Sequence, residues 1–236
     1  MKICIIGSSH VASLKLGWGL VRDQFPEHEV TFFGVKGSTM RNLRPEDGKM
    51  VPLDEGLAEN LAHTSGGLTV IEPGAYDAVV LHGLGLYLPR LRQGLSKAVI
   101  QETLNDVTAR GLTLKIAMRL RTLTDQKLWI SANPLEVALD DAHDSGAFYP
   151  YETLIAELER RFPVQDAVFL RQPPETIGPD LRAPQRFGSG SIALRSGMAG
   201  RGVLEHSDSE TKHMNGEFGR LWMLQNLPLM GQTVAA

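Results

Sequence analysis

A serine near the start of the chain and a histidine near its end have residue types and neighbours that suit a nucleophile and its base. The serine is Ser9, in the turn Gly7-Ser8-Ser9-His10 that follows a short apolar run. A serine in such a turn is a favoured helix N-cap. The same hydroxyl, beside the N–H groups of a helix start, also suits attack on a carbonyl whose oxygen becomes negative. The turn allows both interpretations, and a serine nucleophile needs a base from elsewhere in the chain.

The candidate base is His213, in the stretch Asp208-Ser209-Glu210-Thr211-Lys212-His213. Glu210 lies three residues before the histidine, a spacing that in a tight loop lets a carboxylate reach the ring Nδ1 and hold one tautomer. Asp208 is a competing carboxylate, and spacing does not choose between the two acids. The alternative interpretation is a surface histidine beside solvated acids.

Alternating strand and helix patterns predict a fold in which the segments that carry Ser9 and His213 meet at one end of a sheet. Apolar runs predict five buried strands, at 1–7, 29–34, 78–83, 127–133 and 167–171, with a short extra strand at 68–71. Helical spacing predicts helices from the first turn to Pro26, near 53–63, and over 96–110, 151–162 and 216–227. Because such alternation produces parallel sheets, we predict one domain over residues 1–236 with a three-layer α/β/α, doubly wound, flavodoxin-like five-stranded parallel sheet.

Two further segments and two aromatic residues bear on the site. Residues 172–212 form a loop-rich stretch, and loops of that length are usually functional or mobile. The segment 138–150 suits a flap over the site and equally an ordinary connection. Trp18 and Trp222 lie on apolar helix faces, which predicts that both belong to the core.

The composition argues against several other kinds of protein. The chain has 236 residues, a formal net charge of −3 and no dense run of lysine and arginine, so no nucleic-acid surface is predicted. Its one cysteine, Cys4, allows no disulfide within the chain and no thiolate zinc site. There is no recognisable secretory signal and no apolar stretch of the ~20 residues that span a bilayer, so a cytoplasmic location is expected.

Taken together, the turn that carries Ser9 and the stretch that ends at His213 resemble the first and last sequence blocks of the SGNH/GDSL hydrolase family. Gly7-Ser8-Ser9-His10 resembles the block-one turn with Ser9 as nucleophile, and Glu210-x-x-His213 resembles the last-block D-x-x-H. The resemblance implies that Gly37, after the second strand, contributes to the oxyanion hole. It also aligns Gly83-Leu84-Gly85-Leu86 with block three, where Gly85 stands in place of an asparagine that donates to the oxyanion.

The missing asparagine raises the question of which other residues contact the oxyanion or the substrate. His82 and Asn133 are the alternative donors, and His10 and Gly85 are further candidates for this part of the site. No cofactor and no metal is implied by the resemblance. The sequence leaves the oligomeric state open.

The resemblance implies a serine ester hydrolase that acts on an acetyl or short acyl ester of a carbohydrate or small metabolite. Two alternatives keep the same fold: a weak or inactive binding domain, and an acyltransferase that passes the acyl group to a sugar hydroxyl. A third alternative is an unrelated flavodoxin-like domain that binds a phosphate or nucleotide at the first turn. That turn has one glycine and does not match the G-x-G-x-x-G dinucleotide fingerprint.

Overall fold

A computed structural model describes residues 1–139, 144, 146–194, 202–207 and 209–232. Its strands are β1 (Lys2–Gly7), β2 (Glu29–Gly34), β3 (Leu43–Glu46), β4 (Lys49–Pro52), β5 (Ala78–His82), β6 (Leu128–Ser131) and β7 (Ala167–Leu170). Five of them form a parallel sheet in the order β2-β1-β5-β6-β7, while β3 and β4 pair as a separate antiparallel hairpin. The predicted five-stranded parallel sheet with flavodoxin-like order is confirmed.

Six α-helices in the described ranges flank this sheet. They are α1 (Val11–Val21), α2 (Glu55–Ser65), α3 (Lys97–Ala109), α4 (Leu112–Arg121), α5 (Tyr151–Arg161) and α6 (Gly216–Gln232). The central strands are buried along nearly their whole length, as expected for strands that are covered on both faces. No helix in the described ranges has the length and apolar composition needed to cross a membrane.

Helices α1 and α6 pack so closely that their backbones touch. A Cβ atom added at Gly17 of α1 would overlap the backbone of Gly219 in α6, and one added at Gly219 would overlap the carbonyl of Ser13. Only residues without a side chain permit this approach. Because α1 directly follows the turn that carries Ser9 and α6 directly follows His213, this contact sets the relative position of the two residues.

Several elements differ from the sequence-based expectation. The segment predicted as irregular holds the β3–β4 hairpin, and the predicted extra strand at 68–71 is reduced to an isolated bridge between Met50 and Ile71. Helix α4 was not predicted, because its buried positions are spread among basic residues over only ten residues. The fourth strand ends at Ser131 rather than Asn133, and α6 continues through Pro228 to Gln232.

Of the two tryptophans predicted to belong to the core, one is buried and the other is only partly buried. Cys4 is fully buried and Trp222 is 1% exposed, whereas Trp18 is only partly buried against the core. Part of the predicted flap, residues 140–143 and 145, lies outside the described residues. In the described part, the Phe148 ring is buried beneath the guanidinium of Arg90 at 4.8 Å.

The close approach of α1 and α6 predicts that Gly219→Ala destabilises the fold. The added Cβ would meet the backbone of Ser13, and overpacking of this kind lowers the free energy of unfolding by about 1–3 kcal/mol. Gly19→Ala is the matched control, because Gly19 is an exposed α1 residue with open space around it, and it should raise that free energy by about 0.5–1 kcal/mol. Urea denaturation measures both, and equal values for native and Gly219→Ala would contradict the packing argument.

Candidate active site

The ends of the parallel strands bring the predicted site residues to one edge of the sheet. Gly34, Gly7, His82 and Ser131 lie side by side in the register of β2, β1, β5 and β6. The loops that follow these strands therefore start at the same edge. In this strand order the crevice between the loops after β1 and β5 is the switch point at which parallel sheets bind ligands.

The turn after β1 presents Ser9 and buries Ser8. Ser8 is 7% exposed, and its Oγ donates a hydrogen bond of 2.5 Å to the carbonyl of Gly83 in the loop after β5. The backbone carbonyls of Ser8 and Ser9 accept the first two hydrogen bonds that lead into α1. No side chain caps α1, so the Ser9 hydroxyl does not act as a helix N-cap in this structure.

Ser9 and His213 are in direct contact. The Ser9 Oγ lies 2.9 Å from the His213 Nε2, although 204 positions separate the two residues. The Glu210 Oε1 lies 3.6 Å from His213 Nδ1, which is close enough for an ion pair but longer than an N–H···O hydrogen bond. The same Oε1 accepts the backbone N–H of Lys212 at 2.7 Å. The competing acid, Asp208, lies outside the described residues.

His213 lies between two other histidine rings. His206 stacks on one side with a centroid distance of 4.0 Å and an interplanar angle of 9°, and His10 lies on the other at 5.3 Å. Nothing in the sequence indicated His206, which lies beside an isolated antiparallel bridge between Ile192 and Glu205 and whose N–H donates to the carbonyl of Ser191. The ring that contacts the candidate nucleophile, His213, therefore stacks with both of the other histidines.

Burial lowers the pKa of two of these histidines, His213 and His10. It is the largest cause that lowers the pKa of His213, the nearby His206 lowers it further, and the Glu210 carboxylate opposes both. Burial also lowers the pKa of His10 to about 3. A neutral imidazole is the form that accepts a proton, so the environment suits a general base.

A cleft of about 280 Å³ opens beside Ser9. Its walls include Ser9, His10, Gly37, Gly85, Asn133 and His213. Gly37 and Gly85 have φ of +62° and +80°, in the left-handed region that favours glycine. The backbone N–H groups of Ser9 and Gly37 donate no hydrogen bond to any described residue, so both can accept a new partner, whereas the N–H of Gly85 is bound by the Asn133 Oδ1 at 2.8 Å.

The structure brings together all but one of the predicted oxyanion and substrate residues. The exception is His82, which does not line the cleft. Its ring is 1% exposed, its Nδ1 lies 2.9 Å from the Ser131 Oγ, and its centroid lies 5.7 Å from that of Trp222. Because side chains alternate faces along a strand, the last residue of β5 points toward Trp222 between the sheet and α6, and its ring does not reach the cleft.

Comparisons with known proteins add little to these observations. No family model and no curated protein matches the chain. Among solved structures, the chain is similar to a carbohydrate acetylesterase family member from Sinorhizobium meliloti, with 14% identity and a TM-score of 0.44 over 100% of each chain.

The stacked histidines predict the pH dependence of any reaction that uses His213 as a base. Activity falls as the pH drops through the pKa of the base, and this pKa is lowered from its ordinary value of 6.5, so the acidic limb of kcat/KM should lie below pH 6.5. His206→Phe keeps a stacked ring but removes the electrostatic interaction with His206 that lowers the pKa of His213. The limb should therefore move to higher pH.

A pH–rate profile with an aryl acetate checks this shift, and Ser207→Ala, an exposed neighbour, serves as the control. An acidic limb that stays at the same pH in His206→Phe would show that the ring next to His213 does not act on its titration.

Proposed function

We propose that this chain is a serine ester hydrolase of the SGNH/GDSL type, with Ser9 as the nucleophile and His213 as the general base. The observation that carries the proposal is the 2.9 Å contact between the Ser9 Oγ and the His213 Nε2. It lies at the switch point of a parallel sheet, and the base is held neutral by burial.

In the proposed reaction, Ser9 attacks the acyl carbonyl while His213 Nε2 takes the hydroxyl proton. The N–H groups of Ser9 and Gly37 receive the negative oxygen of the tetrahedral intermediate. His213 then protonates the departing alkoxide, which leaves as an alcohol. A water molecule, deprotonated by His213, attacks the acyl-Ser9 ester, and the acid leaves as the Ser9 hydroxyl is restored. The Glu210 carboxylate stabilises the protonated ring in both halves of the cycle.

The size and rim of the cleft favour a short acyl ester of a carbohydrate. At about 280 Å³ the cleft lies just below the usual range for ligand pockets, roughly 300–1,000 Å³, which suits an acetyl or similarly short acyl group. Tyr87 lines the cleft and is 53% exposed. An exposed phenol presents an apolar face and a hydroxyl, a combination suited to the face and edge of a sugar ring.

A catalytically weak or inactive binding domain is the second candidate. It is favoured by the glycine at position 85, whose N–H is already occupied by Asn133. An acyltransferase would use the same acyl-enzyme, and comparing products with and without an acceptor sugar separates transfer from hydrolysis.

Labelling by a fluorescent fluorophosphonate tests the proposed function, because such probes react with an activated serine. The native chain should be labelled, Ser9→Ala should not be, and His213→Ala should lose ester turnover by roughly 10³-fold or more. Ser189→Ala, at an exposed serine outside the cleft, should label like the native chain. A folded native chain that takes up no label would favour the binding-domain alternative.

The exposed ring of Tyr87 predicts a selective effect on sugar substrates. Tyr87→Ala should raise KM for an acetylated glycoside by roughly two- to tenfold, the range expected when one aromatic contact is lost. The kinetic constants for a small aryl acetate should stay close to native, because that substrate lacks the sugar ring that Tyr87 is proposed to contact. Tyr87→Phe, which keeps the ring, is the matched control. Equal losses with both substrates would argue against a sugar contact.

A further inference from the structure

We propose that Asn133 is an additional donor of the oxyanion site and supplies a side-chain N–H from the loop after β6. This inference rests on the proposed function and deepens it. Asn133 lies two residues beyond the end of β6 and is 4% exposed. It lines the same cleft as Ser9, Gly37 and His213.

The orientation of the Asn133 amide is set by a partner that can only donate. The backbone N–H of Gly85 donates to the Asn133 Oδ1 at 2.8 Å. If the amide were flipped, two donors would face each other, which would leave a buried N–H unpaired at a cost of about 1–3 kcal/mol. The carbonyl oxygen of the side chain is therefore held by the β5 loop, and its NH₂ group lies on the other side.

One of the two N–H bonds of this NH₂ group is used by His10. The Asn133 Nδ2 lies 3.0 Å from the His10 Nε2, which must accept because the amide nitrogen has no lone pair to offer. Burial lowers the pKa of His10 and favours the neutral ring, and when Nε2 accepts, the ring proton is on Nδ1, which has no partner among the described residues. The His10 ring is itself held against Gly83, where any side chain would collide with it. His10 is thus a positioning residue for Asn133.

The second N–H of Asn133 has no acceptor among the described residues. It belongs to a buried side chain in the wall of the cleft, next to the turn that carries Ser9. An oxygen that becomes negative during attack by Ser9 is the kind of acceptor such a group lacks in the free protein. The N–H groups of Ser9 and Gly37 together with Asn133 Nδ2 would then form a three-donor site.

This arrangement also accounts for the glycine at position 85. Its own N–H cannot serve the oxyanion, because it holds Asn133. The φ of Gly85 is +80°, a value that favours glycine, and the space around its Cβ position is open. The packing of the loop therefore does not depend on a side chain at this position. The donor that the SGNH/GDSL resemblance places on the β5 loop would come from the neighbouring β6 loop instead.

The test compares Asn133→Ala and Asn133→Asp with the native chain, using an aryl acetate. Asp is nearly isosteric and can still accept from Gly85, but it offers no N–H. Both variants should lower kcat by about 10²–10³-fold with KM little changed, the loss expected for one oxyanion donor. A boronic acid that forms a tetrahedral adduct with Ser9 should bind more weakly by a similar factor, which a merely structural role would not produce while KM stays native.

A rescue experiment separates donation from packing. Asn at position 85 tolerates a left-handed φ and would project into open space, so Gly85→Asn in the Asn133→Ala background should recover part of kcat. Gly85→Asp in the same background is the matched control, because it has the same shape without a donor, and it should recover nothing.

The outcomes distinguish this inference from the proposed function. If the native chain is labelled by fluorophosphonate but kcat of the folded Asn133 variants is unchanged, or if only KM changes, Asn133 is not a donor and the hydrolase proposal stands. If the native chain takes up no label, both proposals are overturned. Equal recovery by Gly85→Asn and Gly85→Asp would also overturn the assignment to Asn133.

Discussion

The backbones of α1 and α6 touch at Gly17 and Gly219, and the geometry of the candidate site depends on that contact. Each helix begins within a few residues of one partner of the Ser9–His213 pair. Two helices whose side chains interdigitate leave more room for relative shifts than two that meet backbone to backbone. The close approach therefore limits how far the hydroxyl and the imidazole can move apart, and it explains how residues 204 positions apart lie 2.9 Å from each other.

A second constraint ties together the loops at the edge of the sheet. The Ser8 hydroxyl binds the carbonyl of Gly83, and Asn133 joins the N–H of Gly85 to the ring of His10. These contacts connect the loops after β1, β5 and β6 through buried polar groups. In a low-dielectric environment such bonds are strong and an unpaired member is costly, so the network favours one arrangement of the cleft walls.

The environment of His213 balances two opposing demands on a general base. Burial and the neighbouring ring of His206 favour the neutral imidazole that accepts the proton of Ser9. The Glu210 carboxylate, at 3.6 Å, favours the protonated ring that forms next. Because this distance is longer than a hydrogen bond, the Glu210 carboxylate acts on the ring through its charge and does not fix the tautomer. The orientation of the His213 ring therefore depends more on the histidine rings that stack on it.

The amino-acid sequence alone determined the parallel sheet, its flavodoxin-like strand order and the two segments that carry Ser9 and His213. Those predictions depend on local pattern: buried β-branched runs, helical spacing, and a turn followed by a helix start. Gly37 and Gly85 came from the resemblance to the SGNH/GDSL sequence blocks and not from local pattern, and Asn133 was named only as one option.

Only the tertiary structure decided between the remaining options, because each depends on contacts across the chain. The side-chain directions at the ends of β5 and β6 turn His82 away from the cleft and Asn133 into it. The stacking of His206 on His213 depends on antiparallel backbone contacts between residues 191–193 and 204–206, which have no sequence signature. The β3–β4 hairpin and α4 were missed for a related reason, since their short segments are stabilised by packing against the rest of the fold more than by their own pattern.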